Sequence, residues 1–597
     1  MRTPLSVPPG LNGDDTTFAA KGRWGDGSNV RFRLGRPEVI GGWESLVATP
    51  LTGVCRTAFP WTDNAAVLNI AFGTHSKLQL WQGGALFDIT PFGAPVLLGS
   101  DPLTVTSGSA IVTVAHVAHG RTTGDSVKVF GASAVGGITP NGTFTITVTG
   151  ADAYTYTFTS NATSGATGGG GNVVITPQAL LPAGAIDGTG SAGYGTGAYG
   201  IGPWGITPAT AEYFPRTWSF AAWGQNLLAS PRGGGIYAWL NNTANRAVAI
   251  DNAPTRVTQM LVAPLSGGYQ VFALGCNEEV SGTFNPMCVR HSKIRDYSVW
   301  STTASGSTAR EYVLTGGGRI VGGRMVGPYM LIWTSDALFV GTYVGALNQP
   351  WRFERVGRNC GLVGPNAVVV VGQAASWVSG DRQFYRYAIG GQAEPLVCPI
   401  LREFSDNLAA SQGDKIVASS NAEFSEVRFD YPDSRDGFEN SRYVAIALSG
   451  PDAGAWHKGV MARTAFVDSG PSLYPLGVTY DGASYYHERG HSADGQPFPW
   501  FIETADQMLD VEWRLLVKGI WPDFKGQVGA VNVTVTARET PQGLETVAQA
   551  LPMAPGDMKA DLLLSGRLFK VKFSGEASPT ACRIGEPVFE TQPAGKM

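Results

Sequence analysis

Alternating apolar and polar positions, separated by tight turns, recur along most of this chain. One alternating run covers residues 68–72, turns at residues 73–76 and continues as a second run over residues 77–81. The same order recurs at residues 329–340 and 376–387. Residues that tolerate positive φ between runs of period two are typical of β-hairpins. The pattern therefore predicts a chain built mainly from antiparallel hairpins.

The spacing of these hairpins indicates their arrangement. When Trp333, Trp377, Phe429 and Tyr480 are taken as corresponding positions, the steps between them are 44, 52 and 51 residues. Four-stranded propeller blades repeat every ~40–50 residues. The spacing favours a β-propeller-like domain, and an ordinary string of hairpins in a β-sandwich is the alternative.

Three segments depart from this repeated pattern of hairpins. Residues 103–176 alternate strictly, are rich in Thr, Val and Gly, and match a small independent β-domain inserted on a surface loop. Residues 187–205 are dominated by glycine, with Tyr194, Tyr199 and Trp204 interspersed, which predicts a flexible or closely apposed loop. Residues 401–410 are the one stretch that favours a short helix.

Composition narrows the fold class. The 597 residues include 79 glycines, and charged residues make up 15%, against roughly 25% in an average protein. Few residues are available to cover exposed helix faces, which argues against helical bundles, coiled coils and disorder. The length predicts two to four domains. The net charge of −4, without a dense Lys/Arg run, argues against tight binding to DNA.

The cysteines and the chain start bear on the cellular setting. The six cysteines are scattered, with no C-x-x-C pair, and are expected to be free buried thiols of a reducing compartment: Cys55, Cys276, Cys288, Cys360, Cys398 and Cys582. The first residues lack an apolar signal core, and no apolar run approaches the roughly 18 residues that span a bilayer. We expect a soluble protein that is not secreted by the usual route.

The motif His487-Glu488-Arg489-Gly490-His491 fits the zinc-peptidase pattern H-E-x-x-H. That chemistry needs both histidines on one face of a helix. Nearby glycines and Pro497 disfavour a helix here, and the longer metzincin pattern fails at Asp494 and Pro497. We expect a hairpin or loop with solvated histidines.

The other motifs are also better explained without chemistry. Residues 188–193 and 195–200 match G-x-G-x-x-G, but more glycine and then Pro203 follow where a helix is required. His116 and His119 have no neighbouring cysteine or carboxylate to complete a metal site, and are expected to be ordinary polar residues. Asp430, Asp433 and Asp436 are spaced by three rather than two, which predicts a turn with solvated carboxylates, with an opportunistic calcium site as the alternative. We therefore predict no catalytic, cofactor-binding or metal-binding residues, no cofactor, and a protein that is not an enzyme.

Several segments of the sequence resemble those of a known protein family. Residues 23–33 read R-W-G-D-G-S-N-V-R-F-R and are followed by G-R-P-E at 35–38 and G-G-W at 41–43. These phrases resemble the opening of the tail nozzle, or tail tubular protein B, proteins of short-tailed (podovirus-type) bacteriophages. Residues 218–239 and the ending from Ser565 to Lys596 are similar to the same group, and the likeness covers about two-thirds of the chain. Residues 105–175 separately resemble a small β-module of phage tail and fibre proteins.

The resemblance implies an all-β chain with a propeller-like domain, a β-sandwich or platform formed by both chain ends, and an inserted small β-domain. The implied ranges are 1–50 for the N-terminal part of the platform, 51–102 for the start of the propeller, 103–176 for the module, 177–497 for the rest of the propeller and 498–597 for the C-terminal part of the platform. The family forms a homohexameric ring in the virion tail, assembled in the cytoplasm of the host bacterium. The implied partners are tail adaptor and portal-complex proteins, tail fibres or spikes, genomic DNA that passes without sequence-specific binding, and transiently the host outer surface.

The slightly acidic net charge and the absence of clustered cations fit such a channel. Each contact between a Lys or Arg side chain and a DNA phosphate would favour capture of the DNA over its passage. The expected function is a ring-shaped channel for DNA retention and ejection. Two alternatives stay open: a propeller enzyme that degrades host-surface polysaccharide, motivated by 16 tryptophans and acidic turns, and a receptor-binding or fibre-docking protein, motivated by the insertion.

Overall fold

The computed structural model describes residues 2–179, 184, 186–187, 214–346, 348–510, 512–547, 550–577 and 579–596. Within these ranges every strand pairing of a sheet is antiparallel, and α-helix is confined to α1 (Leu401–Ser405). The predicted all-β, propeller-like fold class is confirmed.

Five short strands precede the propeller: β1 (Arg2–Pro4), β2 (Trp24–Ser28), β3 (Val30–Arg33), β4 (Arg36–Val39) and β5 (Trp43–Ser45). Leu34 and Gly35, which join β3 to β4, both have positive φ (52° and 80°). Two consecutive positive φ values define the type I′ turn that connects twisted antiparallel strands. This part of the N-terminal segment is therefore a tight hairpin.

The inserted module follows the first blade of the propeller and precedes the second. The first blade consists of β6 (Cys55–Thr62), β7 (Leu68–Thr74), β8 (Leu78–Gln82) and β9 (Ala85–Asp88). The module consists of β10 (Val96–Leu97), β11 (Leu103–Val105), β12 (Ile111–Ala115), β13 (Ser126–Phe130), β14 (Gly142–Gly150), β15 (Ala153–Thr157), β16 (Ala166–Gly168) and β17 (Val174–Pro177). Its strands form one sheet in the order β10-β17-β13-β14-β15-β12-β11-β16, which packs around a core of its own.

Six further blades follow; the second to the sixth are sheets of four sequential strands, and the seventh has three sequential strands. Blades two to four contain β18 (Trp218–Trp223), β19 (Asn226–Pro231), β20 (Tyr237–Trp239), β21 (Val248–Ala249), β22 (Val257–Leu265), β23 (Gly268–Asn277), β24 (Phe284–His291), β25 (Arg310–Val313), β26 (Ile320–Val326), β27 (Tyr329–Thr334), β28 (Ala337–Tyr343) and β29 (Trp351–Arg358). Blades five to seven contain β30 (Val368–Val371), β31 (Ala374–Val378), β32 (Phe384–Ala388), β33 (Glu394–Pro395), β34 (Val417–Asn421), β35 (Glu426–Pro432), β36 (Asn440–Ala447), β37 (Trp456–Val460), β38 (Ala465–Val467), β39 (Leu476–Val478) and β40 (Ser484–His487).

The seven first strands form a closed ring around one axis. Each inner strand lies beside the next, in the order β6, β18, β22, β26, β30, β34, β38, and β38 lies beside β6. The seventh blade has only three strands of its own, and β5 from the N-terminal segment pairs with β40 to supply the fourth. The ring is therefore closed by a strand from the distant start of the chain.

The sequence repeat corresponds to the second strands of the blades. Trp333, Trp377 and Phe429 lie in β27, β31 and β35, and all three are buried. Tyr480 was wrongly grouped with them, because β39 ends at Val478 and Tyr480 lies in the following turn, 42% exposed. The short β39 leaves Val478, not Tyr480, in the core.

Both ends of the chain meet in the platform. The C-terminal strands are β41 (Trp500–Thr504), β42 (Gln507–Met508), β43 (Trp513–Trp521), β44 (Phe524–Val528), β45 (Val531–Arg538), β46 (Thr546–Val547), β47 (Leu551–Met553), β48 (Ala560–Gly566), β49 (Leu568–Gly575), β50 (Ala581–Ile584) and β51 (Val588–Lys596). Three sheets result, and each contains an N-terminal strand: β1 pairs with β51, β2 with β41, and β4 with β50. Within the range 1–50, β5 is the exception, because it belongs to the seventh blade.

Three local expectations can be compared with the structure. The helix expected over residues 401–410 ends at Ser405, and Leu408 instead forms a β-bridge with Asp433. The glycine-rich stretch lies outside the described residues from position 188 to 205. All six cysteines are buried and free, as predicted. Among the described residues, no helix is long and apolar enough to cross a membrane.

Candidate functional site

The axis of the propeller contains a cavity of about 360 Å³. All seven inner strands contribute to its wall, so the cavity is the central channel of the ring. The side chains that distinguish it from an ordinary blade core are polar or aromatic: Arg56, Phe59, Trp218, Phe220, Arg324, Asn366, Ser419 and Asp468.

Arg324 is a cation in this wall that has no carboxylate partner in the described chain. Its Nη1 donates to the carbonyl of Gly323 at 2.8 Å, and its Nη2 donates to the carbonyl of Pro365 at 2.9 Å. Burial lowers the pKa of Arg324 to about 10, and no acidic group offsets that effect. The guanidinium therefore stays protonated at neutral pH, with two backbone carbonyls as its acceptors.

The other two charged groups of the wall both have hydrogen-bond partners, but only Arg56 is paired with opposite charges in the described chain. Arg56 donates to both carboxylate oxygens of Glu439 at 3.0 Å and to Asp187 at 3.0 Å. Asp468 accepts from Ser420 Oγ at 2.7 Å and from the backbone N–H of Ala422. Arg56 is therefore neutralised by its ion pairs, whereas Asp468 is held by neutral donors and keeps its negative charge beside the cavity.

The rest of the wall is mostly apolar, with one unused hydroxyl. The rings of Trp218 and Phe220 stack at 5.8 Å, and those of Phe59 and Phe220 lie 6.4 Å apart. Ser419 also lines the cavity, is 4% exposed, and its Oγ has no hydrogen-bond partner among the described residues. Cation, aromatic rings and hydroxyl therefore share one small space.

A second polar centre joins the platform to the propeller. Arg31 of β3 is 3% exposed, forms an ion pair with Glu488 and lies 3.3 Å from Glu426. His457 Nε2 lies 3.1 Å from the second oxygen of Glu426. These charges hold the pKa of Glu426 down to about 2 against the effect of its burial, and raise the pKa of Arg31. The centre is a buried ion-pair network between domains.

The H-E-x-x-H motif belongs partly to this network and does not form a zinc site. β40 ends at His487, and Glu488 has φ of 58°, so the motif is not helical. His487 is buried, and its Nε2 already accepts a hydrogen bond from Arg463 Nε at 2.9 Å. His491 is exposed, so only one of the two expected solvated histidines is solvated.

The expectation for the three aspartates Asp430, Asp433 and Asp436, one in β35 and two in the turn after it, is wrong for two of them. Asp430 and Asp433 are fully buried rather than solvated. Arg428 holds Asp430, Arg435 holds Asp433, and Arg442 Nε lies 2.7 Å from Asp436. For Arg428 and Asp430 the sequence carries a signal of this pairing, since residues i and i+2 of a strand share one face. These carboxylates serve ion pairs.

The remaining sequence candidates do not converge on a site. His119 Nε2 lies 2.9 Å from the carbonyl oxygen of Gly150, and His116 Nδ1 lies 3.3 Å from Tyr154 Oη. Both histidines thus have local structural contacts in the module. The two G-x-G-x-x-G matches lie outside the described residues.

A larger cleft of about 600 Å³ lies between α1 and the platform. Its acidic side chains are interleaved with cations: Lys458 Nζ lies 2.9 Å from Asp26 and 3.5 Å from Glu403. Across the described ranges, no group of three or more His, Cys, Asp or Glu side chains is arranged to hold a metal ion. The cleft is a charged domain boundary.

Sequence reasoning missed both Arg31 and Arg324. Arg31 lies in the N-terminal segment that resembles the nozzle family, but none of the neighbouring residues in the sequence indicates that its side chain is buried. Arg324 follows two glycines in an ordinary alternating strand. Because its surroundings come from other blades, only the closed ring reveals it.

No protein-family model and no curated protein matches this chain. Among solved structures, it is similar to the computationally designed Ika8 protein, with 11% identity, a TM-score of 0.33, and coverage of 74% of this chain and 99% of that one. It is also similar to the phage phi92 endosialidase, with 12% identity, a TM-score of 0.18, and coverage of 66% and 52%. An exo-β-1,3-galactanase of Phanerochaete chrysosporium has 9% identity, a TM-score of 0.22, and coverage of 61% and 100%. The fold assignment rests on the strand pairing of this chain rather than on these distant similarities.

Proposed function

We propose that this protein is a structural component of a bacteriophage short tail, of the nozzle or tail tubular protein B kind. It forms a ring-shaped channel for DNA retention and ejection and makes or breaks no covalent bonds. One observation carries the proposal: the N-terminal segment that resembles the nozzle family, residues 23–43, contributes to the joint between platform and propeller. Asn29, Arg31 and β5 all lie in this joint.

This joint suits a wall that must keep its shape under load. Asn29 has φ of 58°, is buried, and donates through Nδ2 to the carbonyl of Pro499 at 3.0 Å. Together with the ion pairs of Arg31, it ties the N-terminal strands to both the platform and the propeller. The low density of cations then lets a phosphate polymer slide past without being captured.

The proposal predicts six-fold rings. Purified full-length protein at tail-assembly concentrations, or particles that contain it, should show rings of six subunits by electron microscopy. A strictly monomeric protein that is also absent from virions would refute the proposal. Virions that contain the protein without six-fold symmetry would refute the hexamer alone.

A receptor-binding or fibre-docking role is the second candidate, and the inserted module favours it. The module has its own core and is attached to the first blade through one short pair of chain segments. Deleting residues 103–176 should then abolish adsorption to the host while rings still assemble. Unchanged adsorption would reject this role. A polysaccharide-degrading role is tested by incubation with host capsule or lipopolysaccharide, where absence of cleavage rejects it.

A further inference from the structure

The cavity on the axis of the propeller has features that a purely structural role would not require. A charged side chain inside a protein is almost always paired with an opposite charge, because leaving water is costly. Arg324 lacks such a partner in the described chain, and two backbone carbonyls occupy only two of its five N–H groups. Arg324 is half-buried in the wall of the cavity, so the chain bears part of the cost of desolvating this guanidinium.

The chemistry around Arg324 matches one class of ligand. A guanidinium fork is best satisfied by a planar carboxylate, which can accept two parallel hydrogen bonds. Phe59, Trp218 and Phe220 offer apolar surface in the same cavity, and Ser419 Oγ remains free to donate. The volume of about 360 Å³ lies within the range of small-molecule sites.

We propose that the axial cavity of the propeller is a binding site for a small organic anion with one carboxylate and an apolar body. Arg324 binds the carboxylate, and the rings of Phe59 and Phe220 contact the apolar part. Asp468, on the seventh blade, disfavours anions of higher charge. This inference does not depend on the role proposed for the whole protein.

Titration calorimetry of the full-length protein tests the site, with benzoate as the probe. Benzamide is the neutral isostere, and inorganic phosphate is an anion without an apolar part. We expect saturable binding of benzoate, at least ~10-fold tighter than that of benzamide or phosphate. Equal binding of benzamide, preferential binding of phosphate, or no binding of benzoate at millimolar concentration would overturn the proposal.

Variants assign the binding to Arg324. Arg324→Gln should weaken benzoate binding at least ~10-fold, since it removes the charge. Arg352→Gln, on the outer strand of the same blade, is the matched control, because Arg352 is 71% exposed. Unchanged benzoate affinity in Arg324→Gln would refute the assignment. If Arg324→Gln fails to fold, Arg324→Lys should retain the preference for benzoate over benzamide, and loss of that preference would count equally against it.

Discussion

Single side chains at the joint between the domains show how strongly position decides the role of a residue. Arg31 and Arg33 are two residues apart on β3, yet Arg31 is 3% exposed and Arg33 is 46% exposed. The guanidinium of Arg31 also stacks 3.6 Å above the ring of Phe424. One arginine is thus part of a buried network, and the other forms a surface ion pair with Glu38.

Arg31→Met should therefore destabilise the protein far more than Arg33→Met. The first change leaves Glu426 and Glu488 buried without their cation, which typically costs about 3–5 kcal/mol. The second breaks an exposed pair worth about 0–1 kcal/mol. Urea denaturation of both variants measures the difference. Equal losses of unfolding free energy would contradict the assigned role of Arg31.

Buried histidines make stability depend on pH. Burial lowers the pKa of His291 to about 4, and its Nδ1 lies 2.7 Å from the amide nitrogen of Gln270. The unfolded chain takes up this proton near pH 6.5, whereas the folded chain does not. The unfolding free energy therefore falls between about pH 6.5 and 4, by roughly 3 kcal/mol for this residue.

His291→Gln should reduce the dependence of the unfolding free energy on pH, because glutamine at position 291 takes up no proton in the folded or the unfolded chain. Unfolding free energies measured from pH 7 to 4.5 give the slopes. The control is His491→Gln, since His491 is exposed and the same substitution there removes no buried side chain. Because the contributions of separate groups to the slope add, a slope in His291→Gln equal to that of the unmodified chain would show that His291 does not contribute to it.

Among the strands, β5 closes the propeller although it is only three residues long. Its three residues complete the seventh blade, and the glycines before it pass very close to residues 488–492. A Cβ at Gly41 would lie 2.6 Å from Glu488 Cα, and one at Gly42 would lie 2.3 Å from Ser492 O. Glycine is therefore required at positions 41 and 42, because two backbone segments approach each other closely there.

Gly42→Ala should loosen the closure of the ring. Its Cβ meets backbone atoms that cannot move aside, and such overpacking costs about 1–3 kcal/mol. Gly470→Ala lies in the same blade, where a Cβ meets nothing within 4 Å, and should be nearly neutral. Thermal unfolding compares the two variants. A melting temperature of Gly42→Ala no lower than that of Gly470→Ala would contradict this account of closure.

In the molecule as a whole, the inserted module is nearly autonomous. Its core contains only its own residues. The two chain segments that connect it to the propeller run side by side, with Gly93 N donating to Pro177 O at 2.8 Å and Ala179 N donating to Pro91 O at 2.7 Å. Paired connections of this kind allow an insertion without disturbing the host blade.

Residues 92–179 should therefore fold when expressed alone, and the remaining chain should fold when a short Gly-Ser linker replaces residues 94–176. Circular dichroism and cooperative thermal unfolding of each protein measure this. Loss of cooperative unfolding in the isolated module would show that its core needs the propeller, and loss in the shortened chain would show the converse.

The sequence by itself determined the hairpins, the repeat, the all-β class and the buried cysteines. Each of these depends on period-two alternation, turn residues or composition, which are local properties of a chain. It located the second strands of the fourth, fifth and sixth blades correctly, and missed the seventh at Tyr480 because the end of a short strand carries little signal.

Only the tertiary structure decided the number of blades, the closure by β5, the burial of Asp430 and Asp433, and the position of Arg324 away from any carboxylate of the described chain. The blade count requires that β38 return beside β6, and the surroundings of Arg324 come from seven strands spread over some four hundred residues. Such contacts join residues distant in sequence, and pairing or desolvation of a charge is set by those neighbours rather than by the residues beside it in the chain.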